Sequence, residues 1–183
     1  MFGSLRNKRR DRPGVLAARL ATAEARHPRA PEPTVATALA ALRPLALAAV
    51  AEDATVGEAL RVMAECDAAA VAVTSAAGVA GVFSERDYAR NGATGARAAK
   101  DAPVAEAMSR TVAEAAPSDT VRRCLDLIAE RGVTHAVALD RGRLVGLLSR
   151  ADLLAAQVAW HERVFHEIEV DQKLLFLRGT YSC

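Results

Sequence analysis

An internal repeat without gaps restricts the fold of this chain more than any other feature of its sequence. Five residues of the first half recur 65 positions later: Thr55, Leu60, Gly81, Ser84 and Asp87 return as Thr120, Leu125, Gly146, Ser149 and Asp152. A repeat at a fixed spacing is typical of one supersecondary unit that is duplicated, and neighbouring copies bury a common core. The 183 residues are enough for two such units. The sequence therefore predicts two similar halves that pack together.

The apolar pattern of each half predicts a mixed α/β fold with the order helix, strand, helix, strand, strand, helix. The elements expected in repeat 1 are a helix at 35–42, a strand at 46–50, a helix from Asp53 or Thr55 to about Cys66, strands at 71–74 and 79–83, and a helix that starts at Ser84. Those expected in repeat 2 are a helix at 104–108, a helix from 118–120 to Gly132, strands at 136–139 and 144–148, and a helix that starts at Ser149. Repeat 1 is expected to carry about four extra residues between its first helix and its first strand.

Charge and proline content divide the chain into four segments. They are a basic N-terminal arm at 1–33, repeat 1 at 34–100, repeat 2 at 101–156, and a C-terminal helix and tail at 157–183. The arm contains eight Lys or Arg residues against three Asp or Glu, whereas the other 150 residues contain 16 basic and 19 acidic residues. A mildly acidic body does not favour nucleic-acid binding. The arm is interpreted as a flexible, solubilising tail, although its charge could contact RNA, DNA or an anionic membrane.

Cysteine usage and hydropathy predict a protein of the reducing cytoplasm. The three cysteines, Cys66, Cys124 and Cys183, are odd in number and widely spaced, which argues against a disulfide framework or a zinc site. No apolar core of a signal peptide follows the first residues, and no apolar run of about 18 residues is present. We therefore expect a soluble, cytoplasmic protein without a membrane span.

The segment from Ala151 to about Leu177 has the pattern of one long helix. A stripe at alternating steps of four and three residues is mostly apolar and comprises Leu154, Val158, His161, Phe165, Ile168, Gln172 and Leu175. This spacing is that of the a and d positions of a coiled coil, with two polar interruptions. Such a stripe can cover the body of its own chain or pair with a second copy, and we favour a homodimer.

The repeated Ser-x-x-Asp motif, Ser84 to Asp87 and Ser149 to Asp152, is the best candidate for a site. Each copy follows an apolar strand and begins a helix. Serine and a carboxylate at this spacing can form a capping box, which is a purely structural arrangement. They also suit a nucleotide, because a carboxylate accepts hydrogen bonds from a ribose diol and a helix N-terminus attracts phosphate. Because the motif occupies the same position in both repeats, we favour ligand binding alongside capping.

These features together resemble a tandem pair of cystathionine-β-synthase (CBS) domains, also called a Bateman module. The resemblance covers about residues 34–156 and includes the 65-residue repeat, the Thr-Val helix starts, the Leu-Val-Gly strand and Ser-x-x-Asp. The segment 81–90, Gly-Val-Phe-Ser-Glu-Arg-Asp-Tyr-Ala-Arg, is similar to the first repeat of stand-alone bacterial CBS-pair proteins. The resemblance implies two repeats packed sheet to sheet with pseudo-two-fold symmetry, plus the long C-terminal helix. It also implies two clefts for an adenosine ligand such as AMP, ADP, ATP, NAD or S-adenosylmethionine.

The resemblance further implies roles for individual positions. Asp87 and Asp152 would hold ribose hydroxyls, Ser84 and Ser149 would contact ribose or phosphate, Arg86 and Arg150 would neutralise phosphate, and the backbone near Leu47, Ala48, Val112 and Ala113 would meet adenine. His135 stands at a basic position of the family where a phosphate contact is common, whereas the matching run of repeat 1, residues 69–71, has no basic side chain. We therefore expect the better site to combine His135 and Arg150 with the second Ser-x-x-Asp motif.

The sequence indicates no catalytic chemistry. It lacks the nucleophile elbow, the P-loop and the zinc-protease and zinc-deaminase motifs. The leading interpretation is a regulatory, signal-transduction module that senses an adenine nucleotide and acts on a partner protein that the sequence does not name. Two alternatives stay open: a ligand-free interaction protein that dimerises through its last helix, and a nucleic-acid-associated protein led by the basic arm.

Overall fold

The computed structural model describes residues 31–42, 47–93 and 100–180 of the chain. The chain divides into two units, Glu32–Phe165 and a second unit made of Met1–Pro31 and His166–Cys183. The first unit holds both repeats and every strand of the described residues. In the second unit, the described part is essentially the continuation of the last helix to Thr180.

The described residues form six helices and six strands. The helices are α1 (Val35–Ala41), α2 (Val56–Glu65), α3 (Glu85–Ala93), α4 (Val104–Ala107), α5 (Val121–Arg131) and α6 (Arg150–Thr180). The strands are β1 (Ala49–Ala51), β2 (Ala70–Ser75), β3 (Gly78–Ser84), β4 (Ala113–Ala115), β5 (His135–Asp140) and β6 (Arg143–Ser149). The predicted mixed α/β fold with a long last helix is confirmed. The strand expected at 46–50 is limited to Ala49–Ala51, and Ala46 lies outside the described residues.

Each repeat forms a three-stranded sheet of the same topology. The strand orders are β1-β2-β3 and β4-β5-β6, with the first pair parallel and the second pair antiparallel. The registers also correspond, because Ala72 lies opposite Val82 in one sheet and Val137 lies opposite Leu147 in the other. The 65-residue repeat of the sequence is therefore a repeat of the structure.

Threonine side chains begin the second helix of each repeat. Thr55 rather than Asp53 is the N-cap of α2: its hydroxyl accepts from the N–H of Glu58 at 3.2 Å, and the Glu58 carboxylate accepts from the N–H of Thr55 at 2.8 Å. The Thr120 hydroxyl caps α5 by accepting from the N–H of Arg123 at 3.2 Å. Capping satisfies amide groups that have no partner inside the helix. The recurring Thr-Val pairs thus mark the two helix starts.

The first helix of each repeat packs against the other repeat. Helix α1 shares an apolar cluster with Val121, Ile128 and Leu148 of repeat 2, and the N–H of Val35 donates to the carbonyl of Asp119 at 2.8 Å. Helix α4 lies in the cluster of repeat 1, and the N–H of Val104 donates to the carbonyl of Ala54 at 2.8 Å. Helices this short are not stable alone in water, so their packing against the other repeat stabilises them. Each repeat therefore contributes its first helix to the apolar cluster of the other. These two exchanged segments, α1 and α4 with the residues that follow them, hold the repeats together.

A third apolar cluster joins the two sheets face to face. Its buried members come from both repeats and are Ala70, Val82, Val112 and Val137, with Val79, Leu139, Leu144 and Leu147 packed around them. Because the residues of β3 and β6 occupy matching positions in their sheets, the contact is close to symmetric. This is the sheet-to-sheet packing with pseudo-two-fold symmetry that the sequence resemblance implied.

The repeated glycines, Gly81 in β3 and Gly146 in β6, allow the exchanged segments to approach the sheets. A Cβ atom at Gly81 would lie 2.6 Å from the carbonyl oxygen of Ser109 and 2.7 Å from the sulfur of Met108. A Cβ atom at Gly146 would overlap the side chain of Leu39 on α1. A side chain at either position would therefore force the neighbouring segment away from the sheet.

Candidate ligand-binding clefts

Both Ser-x-x-Asp motifs form reciprocal capping boxes of nearly equal geometry. The Asp87 Oδ2 accepts from the Ser84 hydroxyl at 2.6 Å and from the Ser84 N–H at 3.0 Å. The Asp152 Oδ2 accepts from the Ser149 hydroxyl at 2.6 Å and from the Ser149 N–H at 2.8 Å. In each motif the serine hydroxyl also accepts from the aspartate N–H. The second oxygen of each carboxylate, Oδ1, has no hydrogen-bond partner among the described residues and is free to accept from a ligand.

The second motif opens into a large cleft that both repeats line. The cleft has a volume of about 550 Å³. Its polar end consists of Ser149, Asp152 and His135 of repeat 2 together with Asp67 of repeat 1, and its apolar wall includes Leu39, Leu42, Leu47, Ala48, Val145 and Leu147. Cavities that bind small ligands have volumes of about 300–1,000 Å³, are largely apolar and contain a few polar groups. The large cleft has this character.

The first motif opens into a much smaller cleft of about 60 Å³. Ser84, Arg86, Asp87 and Arg90 of repeat 1 face Thr111 and residues 132–135 of repeat 2 across it. This volume is far below that of cavities that enclose a drug-sized ligand. The small cleft is thus more basic than the large one and has much less room.

A backbone bridge lies at the small cleft, which Val82 and Ser109 both line. The N–H of Val82 in β3 donates to the carbonyl of Ser109 at 3.0 Å, and the N–H of Ser109 donates to the carbonyl of Val82 at 2.9 Å. The position that matches Val82 in β6 is Leu147, which lines the large cleft. The chain from the start of the first helix to the first strand is longer in repeat 1, from Val35 to Ala49, than in repeat 2, from Val104 to Ala113.

His135 lines both clefts. It is the first residue of β5, where it lies opposite Ser149, and its Nδ1 is 2.9 Å from the hydroxyl oxygen of Thr134. Burial lowers the pKa of His135 below its usual value of 6.5, and the carboxylates of Asp152, Asp87 and Glu85 oppose this shift only in part. The imidazole is therefore neutral at pH 7. The matching position of repeat 1 is Ala70, so the pseudo-symmetry places a titratable group in only one of the two repeats.

The structure brings together most, but not all, of the residues that the sequence singled out. Leu47, Ala48, Ser149 and Asp152 line the large cleft, Ser84, Arg86 and Asp87 line the small one, and His135 lines both. Arg150, Val112 and Ala113 line neither of the two clefts. Arg150 is exposed, Ala113 is fully buried in β4, and the carbonyl of Val112 already accepts from the guanidinium of Arg131.

Sequence reasoning missed several lining residues of both clefts. It gave no role to Leu39 and Leu42 at the large cleft, nor to Arg90 and Thr111 at the small one. Residues 66–70 and 131–135 correspond under the 65-residue shift, but no residue is identical between the two segments, so the repeat gave little signal there. Each of these segments faces the Ser-x-x-Asp motif of the other repeat, so each cleft is built across the two repeats.

Two further observations concern thiol reactivity and metal binding among the described residues. Burial and the charge of Asp119 raise the pKa of the Cys124 thiol to about 11, so the thiolate is not formed near neutral pH. No group of three or more His, Cys, Asp or Glu side chains in the described ranges could hold a metal ion. No helix within them is long and apolar enough to cross a membrane.

The two repeats match a known protein family. The sequence profile of the CBS domain matches the chain twice, at residues 44–93 and 104–159. The chain belongs to the CBS domain family. Its two CBS domains form a pair, which indicates a regulatory module. Helix α1 precedes the first match, whereas α4 lies inside the second, so the profile includes the exchanged helix in only one repeat.

Solved structures of CBS-domain proteins resemble this CBS pair over most of their own length. A candidate signal-transduction protein with CBS domains from Burkholderia ambifaria MC40-6 is 34% identical, with 69% of this chain and 94% of that chain covered and a TM-score of 0.62. A CBS-domain protein from Agrobacterium tumefaciens is 27% identical, with coverages of 67% and 92% and a TM-score of 0.59. A CBS domain protein from Pyrobaculum aerophilum, solved in complex with AMP, is 23% identical, with coverages of 65% and 88% and a TM-score of 0.56. No curated protein sequence matches the CBS pair significantly.

Proposed function

We propose that this CBS pair is a sensor that binds one adenine nucleotide per chain in its large cleft. The observation that carries the proposal is the Oδ1 of Asp152, which has no hydrogen-bond partner among the described residues and lies at the polar end of an apolar cleft of about 550 Å³. A carboxylate oxygen there can accept from the ribose hydroxyls, while the capping box holds the side chain in place. The adenine base would lie on the apolar wall beside Leu47 and Ala48, and the phosphate beside His135.

The ligand is proposed to be an adenosine compound of the group AMP, ADP, ATP, NAD and S-adenosylmethionine. A protein of the same fold from Pyrobaculum aerophilum was solved in complex with AMP, which supports this choice. The small cleft is not proposed as a nucleotide site, because its volume of about 60 Å³ is too small for a nucleoside. The sensor regulates a partner protein only if the ligand binds two states of the pair with different affinity.

A thermal-shift panel tests this function. Each adenosine ligand is added to the full chain, and guanosine monophosphate serves as the control with a different base. A ligand at about 100 times its Kd adds about 2.7 kcal/mol to the free energy of unfolding. For a chain of this size the expected rise in Tm is about 5–10 °C. No rise with any adenosine ligand at millimolar concentration would contradict the proposed function.

Self-association through α6 is proposed as a second property of the chain. The stripe residues Leu154, Val158 and Phe165 expose 48%, 55% and 64% of their surface. Single exposed apolar residues are normal, but three at coiled-coil spacing form an apolar seam, interrupted by His161, that a second copy of the helix can bury.

Sedimentation equilibrium checks this association. We expect twice the chain mass of 19.3 kDa for the wild type. The Phe165→Glu substitution is expected to yield the single-chain mass, because the charge cannot be buried in the seam. A wild type that remains a monomer at tens of micromolar would contradict the dimer.

A further inference from the structure

The described lining of the large cleft contains few groups that can hold a phosphate. No Lys or Arg occurs among its described lining residues, whereas Asp67 and Asp152 both line it. The amides at the start of α6 are largely engaged, since the N–H of Arg150 donates to the carbonyl of Thr134 at 3.0 Å and that of Asp152 donates to the Ser149 hydroxyl at 3.1 Å. Among the described side chains, the imidazole of His135 is therefore the one that can become a cation beside the phosphate.

The Nε2 atom of His135 is available for a hydrogen bond to a ligand. The Nδ1 atom is paired with the Thr134 hydroxyl, while Nε2 has no hydrogen-bond partner among the described residues. The side chain is partly buried between the two clefts, so a ligand in the large cleft would lie against it without displacing other groups. A protonated Nε2 could donate a charge-assisted hydrogen bond to a phosphate oxygen.

We propose that His135 takes up a proton when a phosphate-bearing ligand enters the large cleft, so that nucleotide affinity is coupled to pH. This inference rests on the proposed function and deepens it by naming a second signal to which the site responds. The proton comes from solvent and remains on the imidazole for as long as the phosphate is bound.

The charges around His135 explain why the ligand is needed. Asp152 faces it from α6, Asp87 and Glu85 face it from α3, and Asp67 lies across the large cleft. Cations oppose them on the other side, because Arg86 and Arg90 of α3 line the small cleft with His135. In the free protein burial is the largest influence and keeps the imidazole neutral. An added phosphate a few ångströms away would favour the imidazolium.

The linkage between proton binding and ligand binding determines the direction in which affinity changes with pH. Ligand binding raises the pKa of His135, so the complex binds more protons than the free protein in the interval between the two pKa values. Affinity therefore rises as the pH falls through the pKa of the complex. It levels off below the pKa of the free protein, where both forms are protonated. The phosphate of AMP gains its own proton near pH 6, which acts in the opposite direction.

Calorimetric titration with AMP tests the proposal on the full chain. Proton uptake at pH 7.0 is measured in buffers of different ionisation enthalpy, and the Kd is measured between pH 6.5 and 8.0. The control is His135→Gln, which keeps a polar group near Thr134 but does not titrate. Adenosine, which lacks the phosphate, is the control ligand.

We expect the wild type to take up a fraction of a proton per AMP, and His135→Gln and adenosine to show little uptake. The gain in AMP affinity from pH 8.0 to 6.5 is expected to be roughly three- to tenfold larger in the wild type than in the variant. Equal proton uptake in the two proteins, with AMP bound by both, would overturn the coupling and leave the proposed function standing. Absence of AMP binding to the wild type, together with a flat thermal-shift panel, would overturn both.

Discussion

The Asp152→Asn substitution is expected to weaken AMP binding by about ten- to a hundredfold. The carboxylate is the acceptor that we assign to the ribose hydroxyls, and a hydrogen bond to a charged group is worth about 1.5–3 kcal/mol. An amide keeps the shape of the side chain but replaces one acceptor oxygen with a donor. The Kd from calorimetric titration gives the size of the effect.

Asp87→Asn is the matched control for this substitution. Asp87 forms the same capping box with Ser84 that Asp152 forms with Ser149, with the same distance of 2.6 Å between hydroxyl and carboxylate. The two variants should therefore lose similar amounts of stability, and only Asp152→Asn should lose affinity. If both variants, or only Asp87→Asn, bound AMP weakly, the assignment of the ligand to the large cleft would be wrong.

The Leu148→Ala substitution is expected to lower the free energy of unfolding by about 2–5 kcal/mol. Leu148 is fully buried in β6, in the cluster where α1 packs against repeat 2. Removal of its branched side chain leaves a cavity beside Val35, Val121 and Ile128, none of which is exposed. Denaturant titration followed by circular dichroism measures the change.

Leu47→Ala removes the same atoms from a different environment. Leu47 lies on the wall of the large cleft and exposes 44% of its surface. Because much of its side chain is already in water, we expect a loss of about 1 kcal/mol or less. Equal losses for Leu47→Ala and Leu148→Ala would show that the described core is not what stabilises the chain.

The sequence was sufficient to predict the architecture because its signals are local and duplicated. The Thr-Val helix starts, the hairpins and both capping boxes depend on residues close together in the chain. The 65-residue shift then predicts that any element found in one repeat recurs in the other. Strand bounds were correct to within one residue at β3 and β6.

The clefts were less predictable because tertiary contacts shape them. Local periodicity cannot indicate that α1 packs against repeat 2 rather than repeat 1. Nor can it show that Ser109 pairs with Val82, or that Arg131 occupies the carbonyl of Val112. These contacts help to shape the clefts, and the contact of Arg131 determines that the carbonyl of Val112 already has a donor. A motif that is equal in the two repeats therefore does not imply two equal sites.

The most direct test of the proposed sensor is the stoichiometry of AMP binding to the wild-type chain. Calorimetric titration is carried out at pH 7.0, with the protein concentration fixed independently by amino-acid analysis. We predict a single saturable class of sites with one AMP bound per chain, because of the two clefts that the described residues line, the large one has room for a nucleotide and the small one does not. Two equivalent sites per chain, or no binding by AMP and the other adenosine ligands, would contradict the account.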